Sequence, residues 1–223
     1  MRKYYEAYDD RYRQVHRENL HWFDDAPSGI VLETVEKYSV TARHRILEIG
    51  CGEGRDARFL LEKGYDVLAT DVSPAAVDCC RKQDPGHRDC YAVLDCLYCD
   101  TAEKFDFIYA VAVIHMLVLR EDRDSFYRFY RDHLSSGGIG LICSMGDGTE
   151  ELKSDISSAF STRERVHEAS GKVLNLANTS CRMVTMNTFR QEILDNGLTI
   201  LESGITSVKP DFPEMIYAVV GVI

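Results

Sequence analysis

Glu48-Ile49-Gly50-Cys51-Gly52-Glu53-Gly54 follows directly on the apolar run that begins at Arg45, and it is followed by helical spacing from Arg55 to Lys63 that closes at Gly64. A short apolar run ending in glycines reads as a buried parallel strand. Glycine is the residue suited to the left-handed turn that ends a helix. Strand, glycine turn and helix in that order place the turn at the carboxyl end of a doubly wound sheet, where ligands bind and where glycines let the backbone come close to them. Asp71 closes the next apolar run, Tyr65 to Thr70, about twenty residues on, where an acidic side chain can accept both hydroxyls of a ribose.

A dinucleotide fingerprint would occupy the same place, but the spacing differs. Gly54 comes one residue early, and Arg55 stands where that fingerprint needs a small residue for close helix–strand packing. Glu48 and Glu53 at the loop are unfavourable neighbours for a pyrophosphate and acceptable ones for a ligand with ammonium and sulfonium groups.

The alternation continues outward from this loop. Ser73-Pro74 puts a capping hydroxyl before a proline at the first helical position, predicting a helix to about Arg81. Cys90 to Asp95 and Phe105 to Val111 read as strands, Asp122 to Leu134 as a helix, and Ile139 to Ser144 as a strand after a Gly137-Gly138 turn. Thr188-Phe189-Arg190-Gln191 has the capping-box pattern for a helix reaching Asn196-Gly197, and the runs Leu198 to Ile205 and Met215 to Ile223 should pair antiparallel. Ahead of the first strand, Tyr5, Tyr8, Tyr12 and Val15 form one helical stripe, and a second helix covers about Ile30 to Tyr38. Strands alternating with helices imply a Rossmann-like, doubly wound α/β fold: a mostly parallel seven-stranded sheet with an antiparallel C-terminal strand.

Composition bounds the rest. A chain of 223 residues fits one domain, and 45% apolar with 28% charged residues predicts a packed core. A formal charge of −10 argues against nucleic acid as a partner, whose binding rests on clustered Lys and Arg. No run approaches the roughly 18 apolar residues needed to cross a bilayer, and MRKYYEAYDDRYR lacks the apolar centre of a signal peptide, so a cytoplasmic protein without a membrane partner is expected. The eight cysteines, several inside apolar runs, are expected to be free thiols.

From about Arg45 to Met145 the chain resembles the class I S-adenosylmethionine-dependent methyltransferases, with ILEIGCGEGRDARFL and ATDVSP similar to their first two motifs and YAVLDC, FDFIYAVAVIHML and LSSGGIGLICS to the later ones. GCGEGRDARFLLEKGYDVLATD is also similar to the small-molecule members that include tellurite-resistance and thiopurine methyltransferases. The resemblance implies S-adenosylmethionine as methyl donor, S-adenosylhomocysteine as product and a small-molecule acceptor. It puts Gly50, Cys51, Gly52 and Gly54 beside the methionine moiety and Glu48 near its ammonium. Asp71 would take the ribose and Val72 the adenine face, with Asp95 accepting from the adenine amino group beside Cys96, and the Ala110 carbonyl near the ammonium. Each carboxylate also has a plainer reading, Glu48 as a loop organiser, Asp71 as a helix cap and Asp95 as a solvated strand end.

Methyl transfer needs a nucleophile held in line with the methyl group and shielded from water, so a catalytic base is optional. His115, just past the fourth strand, is the candidate base, with a packed histidine as the alternative. Residues 147 to 185 are too many for a simple crossover and read as a substrate-side insertion, and residues 1 to 25 as an N-terminal helical lid whose Tyr8, Tyr12 and Trp22 face the acceptor. Cys96-Leu97-Tyr98-Cys99 is a lone pair of cysteines where a structural zinc needs four ligands, and Cys79-Cys80 offers no better set, so no metal is expected. A monomer or homodimer is expected. A donor-binding module without catalysis, a protein methyltransferase and an aminopropyl transferase on the same fold remain as alternatives.

Overall fold

The computed structural model describes residues 2–21, 26–99, 102–167, 170–208 and 212–222. After a 3₁₀ turn at Tyr4–Glu6, the chain runs through α1 (Ala7–Arg17), α2 (Gly29–Lys37), β1 (Arg45–Ile49), α3 (Arg55–Glu62), β2 (Asp66–Asp71), α4 (Pro74–Gln83), β3 (Tyr91–Val93) and β4 (Phe105–Val111). A 3₁₀ turn at Ile114–Met116 leads into α5 (Arg120–His133) and β5 (Leu134–Met145). The short strands β6 (Leu152–Lys153), β7 (Thr162–Val166), β8 (Val173–Ala177) and β9 (Arg182–Met183) follow, then α6 (Met186–Asp195), β10 (Thr199–Val208) and β11 (Phe212–Gly221).

Seven strands form one sheet in the order β10-β11-β5-β4-β1-β2-β3. All neighbours from β5 to β3 pair parallel, and β11 is antiparallel to both β10 and β5. The expected Rossmann-like architecture is therefore the observed one. The period-2 pleat sorts the strands onto two cores. Ile46, Phe107, Tyr109 and Leu141 face α2, α3 and α4, while Leu47, Ile108, Ala110 and Ile142 face the aromatic side of α5 and α6.

Several boundaries differ from the sequence reading. Thr185, not Thr188, caps α6: its Oγ1 accepts the Thr188 N–H at 3.2 Å, and Thr188 sits in the first turn with its hydroxyl donating to Glu151. Gly137 and Gly138 lie inside β5 rather than before it. Pairing shifts register between Phe105 and Phe107, Gly137 takes φ +78°, and a Cβ on Gly138 would sit 3.1 Å from the carbonyl oxygens of Phe105 and Asp106. That bulge is what the two glycines permit. Strand β3 stops at Val93 because Asp95 opens a turn, its Oδ1 accepting the Leu97 N–H at 3.0 Å.

Segment 147–185 holds two small two-stranded sheets, β6 with β9 and β7 with β8. The β7–β8 hairpin is joined to α1. Val15 packs on Leu174 and Leu176, and the Arg11 guanidinium donates to the carbonyls of Ala177 and Asn178 and to the Thr179 hydroxyl. The Tyr8 hydroxyl donates to the Ser180 carbonyl at 3.1 Å. Among the described residues, no helix is long and apolar enough to cross a membrane.

Candidate functional site

A cavity of about 1130 Å³, counting space continuous with solvent, opens at the carboxyl ends of β1, β2, β3 and β4. Its floor is the turn between β1 and α3. Gly50, Gly52 and Gly54 have φ of +73°, +55° and +81°, values that L side chains rarely adopt. Packing adds to the need for glycine: a Cβ on Gly50 would lie 2.4 Å from Val113 Cγ2, and one on Gly54 2.9 Å from Cys80 Sγ. The turn is pinned by Cys51 N–H donating to the Thr70 carbonyl and Gly54 N–H to the Cys51 carbonyl, both at 2.8 Å.

Carboxylates line this floor. Glu48 is 4% exposed, and its Oε2 has no hydrogen-bond partner among the described residues. Burial pushes its carboxyl well above the usual range, the charge of Asp56 adds to the effect, and Arg55 opposes it. Asp71 ends β2 and accepts N–H groups from Gly52 at 2.9 Å and Ser73 at 2.8 Å. Burial raises it to about 6 against the pull of those bonds. Asp95 accepts the Tyr5 hydroxyl at 2.9 Å. Asp56 is fixed by the Ser28 N–H and hydroxyl at 2.5 and 2.8 Å.

The structure brings most of the expected residues to this cavity. Glu48, Gly50, Cys51, Gly52, Asp71, Val72, Asp95 and Cys96 line it, as do Tyr8 and Tyr12. Gly54 stands at the N-cap of α3, behind the wall. Trp22 lies outside the described residues. Ala110 is not on the wall: it is fully buried inside β4, and the strand's alternation turns its side chain to the α5 side. The lining passes instead to Val111, Ala112 and Val113, with Ala112 at φ +58°.

His115 is also not among the lining residues. It is 4% exposed, it meets Phe212 with ring centroids 5.9 Å apart, and its Nδ1 has no hydrogen-bond partner among the described residues. Burial lowers its pKa to about 3, with the charges of Arg123 and Arg11 acting in the same direction. Arg123 is itself fully buried, bonded to Glu192 and to the carbonyls of Ile114 and Leu117, and so clamps the turn that carries His115.

Tyr5, Asp56, Met116, Leu117 and Phe212 line the cavity without having been singled out in the sequence. Tyr5 belongs to the tyrosine stripe, which was the one usable signal. The others arrive from separate segments and share no spacing.

Residues 47–139 match the family described as "Methyltransferase domain". Hemagglutinin 1 of Eikenella corrodens is 33% identical over 135 residues, which is 58% of this chain and 43% of that protein. A probable S-adenosyl-L-methionine-dependent methyltransferase, TehB of Haemophilus influenzae, is 28% identical over 122 residues, 48% of this chain and 42% of that protein. The chain therefore spans less than half the length of these two curated relatives. The crystal structure of an S-adenosylmethionine-dependent methyltransferase from Clostridium acetobutylicum superposes with a TM-score of 0.66 at 15% identity, covering 95% of this chain and 96% of that one. Over residues 47–139 the chain is thus similar to S-adenosylmethionine-dependent methyltransferases, and it shares their fold.

The cavity fits S-adenosylmethionine, the donor named for the similar Haemophilus influenzae protein. A buried carboxylate with an unused oxygen suits an ammonium, and three left-handed glycines leave a backbone cradle that no side chain fills. A pyrophosphate would meet Glu48, Glu53, Asp56, Asp71 and Asp95 on a wall that also carries the Arg55 guanidinium, so acidic side chains outnumber it there and disfavour an anion.

Proposed function

We propose that the chain transfers a methyl group from S-adenosylmethionine to a small-molecule acceptor. The observation that carries this reading is the Glu48 carboxylate, buried on the cavity wall with Oε2 lacking a partner beside the Gly50–Gly54 turn. The bound donor supplies an electrophilic methyl group on a positively charged sulfur. Glu48 holds the ammonium, and Gly50, Cys51, Gly52 and Gly54 follow the methionine chain. Asp71 takes the ribose hydroxyls while its N–H contacts keep it oriented. Val72 packs on the adenine, with Asp95 and Cys96 at its edge. The role near the ammonium that the resemblance gave to Ala110 is assigned here to Ala112, which lines the cavity.

Segments 1–25 and 147–185 act together as the acceptor-side cover. Their joint packing through Arg11, Val15 and Tyr8 supports this, and Tyr8 and Tyr12 turn toward the cavity. Such a cover excludes water and aligns the acceptor with the methyl group, which supplies much of the rate in a transfer that needs no base. His115 shapes the cavity by supporting Phe212 rather than by taking a proton.

Calorimetric titration with S-adenosylmethionine, S-adenosylhomocysteine and NAD, followed by a donor-consumption screen over metabolites and peptides, tests the reading. Binding of the first two and not NAD, with turnover on a metabolite, is expected. Binding without turnover on any acceptor would favour a non-catalytic module, turnover only on peptides a protein methyltransferase, and uptake of NAD alone would overturn the donor assignment.

A further inference from the structure

Four side chains, two from helices and two from loops, converge at the edge of the cavity: His16 on α1, His21 beyond its end, Glu53 in the glycine turn and Cys79 on α4. One ligand atom from each lies within 4.8 Å of all the others. His16 Nε2 is 2.7 Å and His21 Nδ1 3.5 Å from Glu53 Oε1, and the two imidazole centroids are 6.1 Å apart. In a tetrahedral zinc site, with metal–nitrogen and metal–sulfur bonds of about 2.0 and 2.3 Å, neighbouring ligand atoms are about 3.3 to 3.8 Å apart. The observed spacings bracket that range, so small side-chain rotations suffice.

We propose that His16, His21, Glu53 and Cys79 form a binding site for a borderline divalent cation, zinc in first place, which clips the N-terminal segment onto the glycine turn. Two imidazoles, one carboxylate and one thiolate are a zinc-type donor set rather than one for magnesium or calcium, which take oxygen ligands. Charge also fits: a thiolate and a carboxylate neutralise a doubly charged ion in a place where Glu53 and Cys79 are only 7% and 9% exposed. Gln83 Nε2 lies 3.1 Å from His21 Nδ1 and 3.3 Å from its Nε2, a contact that metal binding at Nδ1 would displace. Without metal, His16 Nε2 and Glu53 Oε1 share a hydrogen bond at 2.7 Å. Metal entry replaces that bond: the Cys79 thiol proton and any proton on the ligating imidazole nitrogens leave to solvent as the metal–sulfur and metal–nitrogen bonds form.

His21 and Glu53 also line the donor cavity, so the ion would complete its wall. The sequence reading weighed Cys96 with Cys99, and the neighbouring Cys79 and Cys80, as metal ligands and expected no metal. The cluster found here takes Cys79 and none of the other three, and its members are spread over 64 positions from 16 to 79 with no motif spacing.

The test uses the chelator-stripped chain with no methyl donor present, so it stands apart from the proposed reaction. Cobalt(II) is titrated as a spectroscopic probe and zinc as competitor, with metal content measured after gel filtration. One metal per chain is expected, with a thiolate-to-cobalt charge-transfer band. That band should vanish in Cys79→Ser, persist in Cys99→Ser, and require at least tenfold more metal in His16→Gln, whose more exposed side chain leaves folding intact by circular dichroism. Absence of stoichiometric binding, or a band that survives Cys79→Ser or shifts with Cys99→Ser, would overturn the proposal. Should Cys79→Ser fail to fold, an unchanged affinity in His16→Gln would overturn it equally.

Discussion

The Tyr5 hydroxyl donates to Asp95 Oδ2 at 2.9 Å, joining the start of the chain to the turn that follows β3 across 90 residues. Tyr5 is 5% exposed, so this is a buried strut and not a surface contact. It fixes the carboxylate proposed to meet the adenine. Tyr5→Phe keeps the ring and removes the donor. Hydrogen bonds to charged groups contribute about 1.5 to 3 kcal/mol, less where the freed acceptor regains water from the cavity. The expected result is a loss of about 1 to 2 kcal/mol in urea unfolding and a several-fold weaker Kd for S-adenosylhomocysteine by calorimetry. An unchanged Kd would remove Asp95 from the adenine contact.

Glu48→Gln separates folding from binding. Glutamine is isosteric and neutral, so it removes the desolvation cost that pushes the Glu48 carboxyl upward. The variant should unfold at the same or a higher temperature than the native chain in the absence of ligand. Its affinity for the donor should fall at least tenfold, because the ammonium loses its charged partner. Equal affinity in calorimetry would mean that Glu48 only organises the loop.

Asp71 gives a pH signature with a definite sign. Its folded pKa, about 6, lies above its ordinary 3.8, so the protonated form is favoured in the native state. Its contribution to stability is therefore fully present below about pH 4 and is lost as pH rises through 6. The stability difference between the ligand-free native chain and Asp71→Asn should fall by an amount on the order of 3 kcal/mol over that interval, since each pKa unit corresponds to about 1.4 kcal/mol. Thermal melts of the two proteins in matched buffers measure it. A difference that is flat with pH would mean that Asp71 is charged in the fold throughout.

Gly50 is constrained in two independent ways. At φ +73° an alanine costs about 1 to 2 kcal/mol in backbone strain, and its Cβ at 2.4 Å from Val113 Cγ2 adds overpacking of about 1 to 3 kcal/mol. Gly50→Ala should therefore be strongly destabilised, and adding Val113→Ala should recover only the packing part. Full recovery in the double variant, read from denaturant midpoints, would show that backbone strain contributes nothing.

The parts of this molecule legible in the sequence are those fixed locally. The Arg45–Ile49 and Phe105–Val111 strands were readable because apolar runs end in turn residues, and the Ser73 cap because a hydroxyl before proline has one common meaning. The α6 cap was misplaced by three residues because Thr185 and Thr188 carry the same side chain, and only the tertiary position of Glu151 distinguishes them. Ala110 was placed near the ligand by the resemblance, although β4 ends at Val111 as expected; that the wall is built from Val111, Ala112 and Val113 depends on the backbone turn at Ala112, which has no sequence signal. The Tyr5–Asp95 strut and the His16–Cys79 cluster have no sequence signature at all. They exist only once α1 has docked beside α4, where Asp9 accepts the Ser73 hydroxyl at 2.7 Å and the Ala75 N–H at 3.0 Å.

His115 illustrates how a plausible catalytic residue is reassigned by its surroundings. A general base needs access to the substrate proton and a pKa near the working pH. His115 has neither: it is buried behind the cavity wall and lowered to about 3 by desolvation and then by Arg123 and Arg11. It is therefore neutral in the fold at any pH where the enzyme would work. Because its folded pKa is below the ordinary 6.5, its contribution to stability is present above about pH 6.5 and is lost as pH falls toward 3. Replacing it with a neutral side chain of similar size, His115→Gln, should lower the midpoint of acid unfolding and leave the shape of the pH–rate profile unchanged, with kcat reduced less than tenfold through altered packing of Phe212. Loss of an ionisation from the kcat/KM profile in His115→Gln would restore the histidine as the base.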